Sequence, residues 1–90
     1  MSKRLAPSDV RHRTHLSVTY ETNEETHRVA RSLRPEVGDI EDDRSQTTLS
    51  RTDETLTLTI EATDLVALRA GINTWLSLLA VAERVGAVEI

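Results

Sequence analysis

A two-layer α+β fold in the order β-α-β-β-α, with a three-stranded antiparallel sheet carrying two helices on one face, is what this sequence predicts. Three observations carry that expectation. Two runs, His15–Tyr20 and Glu54–Ala62, alternate apolar and polar residues with a period of two, as half-buried strands do. Two others, 22–33 and 62–85, repeat their apolar residues at helical spacing. Between them lie a proline, an acidic stretch and a short Thr52-Asp53 turn, so the elements are separate and closely connected.

Residues 1–13 read as a flexible basic N-terminal arm, charged, with Pro7 and Ser8 and without periodicity, preceding a single α+β domain over 14–90. In the first strand Leu16, Val18 and Tyr20 share one face, and His15, Ser17 and Thr19 the other. Thr22-Asn23-Glu24-Glu25 matches a capping box, in which the threonine hydroxyl accepts from the third helical amide. The helix it opens turns Thr26, Val29, Ala30 and Leu33 inward. It must end near Leu33, because Pro35 disfavours helical geometry at Arg34.

Pro35–Asp43 reads as a polar, acidic loop, followed by a weakly apolar strand, Arg44–Ser50. That strand is expected at the sheet edge, where it could pair with a second copy of the chain. The third strand sets Leu56, Leu58, Ile60 and Ala62 against Thr55, Thr57, Thr59 and Glu61, which leaves a Thr-rich solvated face. Thr63 or Asp64 caps the last helix.

That helix has more apolar circumference than one small sheet can cover. Leu65, Leu68, Ile72, Leu76 and Leu79 form the stripe expected to face the core. Ala67, Ala70, Gly71, Leu78, Val81 and Val85 fall on a second, mostly small side, and Arg69, Asn73, Ser77 and Arg84 form the polar wedge. Gly71 in mid-helix costs about 1 kcal/mol relative to Ala, which the close approach of another helix would offset. In a chain of 90 residues the second side is expected to need a partner protein.

Composition narrows the function classes. With 2% aromatic residues, Tyr20 and Trp75 alone, the core is built from Leu, Val, Ile and Ala. Absence of cysteine excludes disulfides, thiolate zinc sites and a thiol nucleophile. The net charge of −4 is uneven: residues 1–13 are net +3 and the remainder net −7. An acidic body argues against strong nonspecific nucleic-acid binding by the chain as a whole. Lys3 is the only lysine, a bias that fits a high-GC or salt-adapted source. No apolar signal core opens the chain, and Arg69, Asn73 and Ser77 interrupt the last helix as a membrane span, so a soluble cytoplasmic protein without a membrane partner is expected.

No constellation supports catalysis or a cofactor. His12-x-x-His15, with His27 elsewhere, lacks a helix to fix metal-ligand geometry. Asp39-Ile40-Glu41-Asp42-Asp43 has the alternating acids of a calcium loop, but lacks the glycine at its sixth position and has Ser50 where a glutamate should close it. No glycine-flanked serine forms a nucleophile elbow, and Gly38, Gly71 and Gly86 are too dispersed for a phosphate cradle. The β-α-β-β-α order invites a KH comparison that fails for want of a G-x-x-G loop. The arginines remain: Arg28, Arg31, Arg34, Arg44 and Arg69 could converge on phosphates or be solvated and paired with acids.

The run from Leu56 to Leu76, LTLTIEATDLVALRAGINTWL, is similar to the pattern L-x-L-x-I-x-A-x-D-L-x-x-L-R-A-x-x-N-S-x-L of the smallest core subunit of the archaeal and eukaryotic KEOPS (EKC) complex, in the CTAG/LAGE family. Leu33-Arg34-Pro35-Glu36 before the acidic loop and Arg44-Ser45 opening the second strand also resemble that family. The likeness spans roughly residues 14–82 and is most specific over Ala62–Asn73. Thr74 stands where Ser is commoner and Gly71 where Ala is usual. The basic arm has no counterpart in the pattern.

The resemblance, of archaeal type, implies a non-catalytic homodimeric scaffold. Each copy would dock helices of an ASKHA-fold threonylcarbamoyl transferase in the complex that installs threonylcarbamoyladenosine beside the anticodon, and the dimer would help hold the tRNA. By position, Leu68, Gly71, Ile72, Trp75 and Leu78 would supply core and helix-docking contacts. Arg28, Arg31, Arg44 and Arg69 are the candidates for tRNA contact. A second reading, from another class, is a free-standing RNA-binding module acting through an arginine patch. A third, a small-molecule-binding regulatory domain, has no ligand-specific loop to support it.

Overall fold

The computed structural model describes residues 5–38 and 44–88, with side chains to Val85. After a short 3-10 turn at Pro7–Asp9 come β1 (His12–Thr19), α1 (Asn23–Leu33), a second 3-10 turn (Arg34–Glu36), β2 (Ser45–Thr52), β3 (Thr55–Ala62) and α2 (Leu65–Val88). The sheet is antiparallel in the order β1-β3-β2. The expected α+β architecture is therefore the one observed. β3, the most regularly alternating run, is central, and the weakly apolar β2 is an edge, as is β1.

The register places Leu16, Leu58 and Leu49 in one row and Val18 and Leu56 in the next, all directed at the helices. Residues paired across a sheet share a face, so Thr55, Thr57 and Thr59 line the opposite side with their neighbours. There Ser17 Oγ and Thr57 Oγ1 lie 3.1 Å apart, Thr19 Oγ1 and Thr55 Oγ1 2.9 Å, and His15 Nδ1 and Thr59 Oγ1 2.9 Å. The hydroxyls of this outer face thus bond one another across the strands.

β1 starts at His12, three residues before the alternation becomes legible, because His12, Arg13 and Thr14 are polar on both faces. The chain before it is also laid against the sheet. The Arg11 amide continues the ladder to the Ala62 carbonyl at 3.0 Å, and the Leu5 amide donates to Gln46 Oε1 at 3.0 Å. Of the stretch read as an acidic loop, 39–43 lies outside the described residues.

α1 forms where its cap is written. The Glu25 amide donates to Thr22 Oγ1 at 3.0 Å, and Thr26, Val29, Ala30 and Leu33 are the residues it buries. Thr26 resolves its own buried hydroxyl by donating to the Thr22 carbonyl at 2.9 Å. The β2–β3 turn places Asp53 at φ 53°, a left-handed conformation that Asp tolerates better than most residues.

The cap of α2 is Asp64. Its Oδ1 accepts from the Ala67 amide at 2.8 Å, and Arg44 donates to the same carboxylate through Nη2 at 2.8 Å and Nε at 3.2 Å. These contacts, the Arg44 hydrogen bonds foremost, hold the Asp64 carboxyl well below the usual carboxylate range. One side chain thereby ties the start of β2 to the start of α2.

Candidate partner-docking surface

At 24 residues α2 is about 36 Å long, while an eight-residue strand spans about 27 Å, so the helix outruns its sheet. Its inward seam is Ala67, Gly71, Trp75, Leu79 and Ala82, with Leu68, Ile72 and Leu78 half-buried against the same core. Trp75 sits at the centre, 1% exposed. A Cβ added at Gly71 would lie 3.1 Å from Cγ2 of Ile60, a fully buried residue of β3.

This seam corrects the expected stripe. Leu79 is buried as anticipated, but Leu65 and Leu76 are exposed and Leu68 and Ile72 only partly covered. The physical reason is size. Ala67 and Gly71 let the helix backbone approach β3 closely, and that approach seats the bulk of Trp75 in the middle of the core. Gly71 accordingly lets α2 lie close to the protein's own sheet.

Five large apolar residues remain between 47% and 69% exposed: Leu65, Val66, Leu76, Val81 and Val85. All five lie on α2. Helical spacing divides them into two flanks on either side of the seam. One contains Leu65, Ile72 and Leu76. Glu83 shares that side, and it accepts a 2.6 Å hydrogen bond from the Tyr20 hydroxyl just beyond β1, so this flank overlies the β1 side of the sheet. Burial, then the bond to Glu83, pushes the Tyr20 phenol well above its ordinary range.

The other flank contains Val66, Ala70, Thr74, Val81 and Val85. Its first half, Val66, Ala70 and Thr74, lines an open groove of about 140 Å³ with Ala67 and Gly71, whose far wall is Arg44 and Ser45 at the start of β2. The expected polar wedge, Arg69, Asn73, Ser77 and Arg84, is exposed between the flanks. By length and mean hydropathy (1.6), Leu65–Val85 would suffice to cross a membrane. Its buried seam, however, is seated on a sheet with a polar outer face, as the core helix of a globular domain is. Only 22% of this window is buried, so much of its apolar surface is left over.

The residues assigned to partner docking from position therefore occupy the covered side: Trp75 is in the core, Gly71 faces Ile60, and Leu68, Ile72 and Leu78 are half-buried. Sequence reasoning missed Leu65, Val66 and Leu76 as the exposed set. A signal was available, since centring the wheel on the only tryptophan would have selected the observed seam.

The four candidate arginines are spread over three places. Arg28 and Arg31 are on α1, Arg69 is on the outer side of α2, and Arg44 is bonded to Asp64. His12 pairs with Ala62 on the helix side of the sheet and His15 with Thr59 on the outer side, so these two rings point to opposite faces.

No curated protein matches the chain in sequence. Among solved structures, a chain of the crystal structure of the binary Gon7-Pcc1 complex superposes with a TM-score of 0.77 at 16% identity, covering 88% of this chain and 96% of its own length. At that identity the likeness establishes the fold. The family model described as transcription factor Pcc1 matches residues 13–86, from the first strand through nearly all of α2. The chain thus belongs to the Pcc1 family, as the KEOPS-subunit pattern of its second half led one to expect.

Proposed function

We propose that this protein is a non-catalytic, cytoplasmic dimerisation and scaffold subunit of the KEOPS complex, which docks the ASKHA-fold threonylcarbamoyl transferase and assists tRNA binding during threonylcarbamoyladenosine formation. One observation carries the reading: every strongly exposed large apolar side chain among the described residues belongs to α2. Family membership supports a KEOPS-associated role, and the two flanks supply two separate surfaces for two kinds of partner.

The β2 edge and the groove beside it meet at Arg44 and Ser45. A second copy pairing along β2 would extend the sheet and at the same time cover Val66, Ala70 and Thr74. The flank over β1, with Leu65, Ile72 and Leu76 bordered by Arg69, is left for helices of the transferase. An apolar patch with a charged margin is a common form for a helix-docking site.

Leu65→Asp with Leu76→Asp tests this division. Both side chains are half-exposed, so the fold and the dimer should survive, while capture of the transferase falls by about two orders of magnitude. Undiminished capture would overturn the assignment of that flank. Light scattering on the wild-type protein separates the scaffold from the RNA-module reading. A stable monomer that binds tRNA tightly without the transferase would replace the scaffold with the module.

A further inference from the structure

Leu16, Leu58 and Leu49 stand in one row across the three strands, and the row ends at the open side of β2. Leu49 packs against the core but is only half-buried, because among the described residues no further strand covers it. It is also the only apolar residue of β2.

The backbone fixes how another strand can be received. The Thr63 amide donates to the Arg44 carbonyl at 2.9 Å, so residues 44 and 63 form a hydrogen-bonded pair just before the strand begins. Such pairs alternate along an antiparallel ladder. The even-numbered residues of β2 therefore bond to β3, while Thr47, Leu49 and Arg51 turn their amides and carbonyls outward. The side chains of these three are on the helix side, across from Ile60, Leu58 and Leu56.

A second copy pairing antiparallel with this edge is related to the first by a two-fold axis perpendicular to the sheet. Residues directly opposite each other share a face, so only residues on the helix side of β2 can face Leu49. These are Ser45, Thr47, Arg51 and Leu49 itself. Three of the four registers set the leucine against a polar or charged side chain. The fourth sets it against its own copy, and there all three outward residues are matched, Thr47 with Arg51 and Leu49 with Leu49.

We propose that a second copy pairs with β2 in the register that places Leu49 on the two-fold axis, so that the leucine row of one sheet runs on into that of the other. The inference rests on the dimer reading and adds to it the register and the residue at its centre. The charged end of the strand suits this arrangement. Arg51, whose Nη1 lies 3.1 Å from His27 Nδ1, meets Thr47 of the second copy and stands about 14 Å from its own counterpart. On the outer face Thr48 comes opposite Ser50 of the second copy, so hydroxyl meets hydroxyl as it does between Ser17 and Thr57. The rival edge is β1. There the Tyr20 amide bonds the Glu54 carbonyl at 2.8 Å, and the same alternation makes Arg13 and His15 outward residues, the kind of charged and titratable residue that guards an edge.

The chain has no cysteine, so an introduced thiol reports one position. With Leu49 on the axis its Cα lies about 5.5 Å from that of its copy, within disulfide reach. Thr48 is then about 8 Å from its copy and Thr47 about 14 Å, both beyond that reach. Under mild oxidant the full-length Leu49→Cys protein should become covalent dimer at least about tenfold faster than Thr47→Cys or Thr48→Cys. Thr47→Cys mixed with Arg51→Cys should give mainly the covalent heterodimer, a result that leaves Leu49 unaltered. Preferential self-crosslinking of Thr47→Cys or Thr48→Cys overturns the register and leaves the β2 dimer standing. Preferential crosslinking of Leu16→Cys moves the contact to β1 and overturns the β2 pairing with it. A wild type that light scattering shows to be dimeric, with none of these variants crosslinking, also overturns the register, and a monomeric wild type overturns both the register and the dimer reading.

Discussion

The two sides of α2 are built from the same kinds of residue and have opposite fates. Ala67, Trp75, Leu79 and Ala82 are buried and Gly71 lies against Ile60 of the sheet, while Leu65, Val66, Leu76, Val81 and Val85 stand about half exposed. Hydrophobicity does not distinguish them, since leucine and alanine occur on or beside both. What differs is the size of the residues facing β3. A helix settles with its small residues toward the sheet because close approach increases dispersion contacts and encloses one large side chain completely. Bulky Leu65 and Leu76 are thereby turned outward, where they are useful only to something else.

Variants can break this comparison or sharpen it. The largest effect is expected at the seam's centre: Trp75→Ala should destabilise the protein by about 3–5 kcal/mol, measured by urea unfolding, through loss of its transfer energy and the cavity left behind. A cost below that of the exposed Leu65→Asp/Leu76→Asp pair would invert the assignment of sides. Gly71→Leu should follow, at about 1–3 kcal/mol, because its side chain has only the tightly packed Ile60 to displace. It should reduce partner capture only in proportion to the folded fraction. Selective loss of capture in a fully folded variant would return Gly71 to the docking surface.

A smaller effect is expected at the helix N-terminus. The Asp64 carboxyl titrates below its unfolded-state value, so its contribution is present above about pH 4 and is lost as pH falls toward the folded value. Thermal melts should show an acid-side decline in the wild type that is reduced in Asp64→Asn, with the variant's melting temperature lower by a few degrees at neutral pH. Parallel acid profiles for the two proteins would show that the Arg44–Asp64 contact does not anchor the seam. The Tyr20–Glu83 bond gives the converse sign. A phenol pushed up in the folded state stabilises fully below about pH 10 and loses that contribution in stronger alkali, a decline that Tyr20→Phe should lack.

Much of the molecule was legible residue by residue. Thr22 caps α1, and the four residues read as inward are those it buries. Leu33 ends it as expected, but Arg34 keeps helical geometry (φ −55°, ψ −43°) despite Pro35, and the chain runs on as a 3-10 turn. The alternation of β3 marked a strand, and the polar character of Arg44–Ser50 marked an edge; that β3 is central came from the structure. The arm was harder to read. Nothing in Leu5 to Val10 announces an ordered path, because what holds Leu5 is a glutamine forty-one residues later in the chain.

Local periodicity, capping chemistry and composition determined the order of elements, the class of fold and the presence of surplus apolar surface on the last helix. These depend on interactions within a few residues and on totals, both of which a linear sequence displays. Only tertiary packing decided which side of α2 is seam and which is flank, that Gly71 lies against Ile60, and that the Leu5 amide is held by Gln46. Each of these depends on shape matching or hydrogen bonding between distant residues, and a helix with apolar groups on most of its circumference leaves that choice to its neighbours.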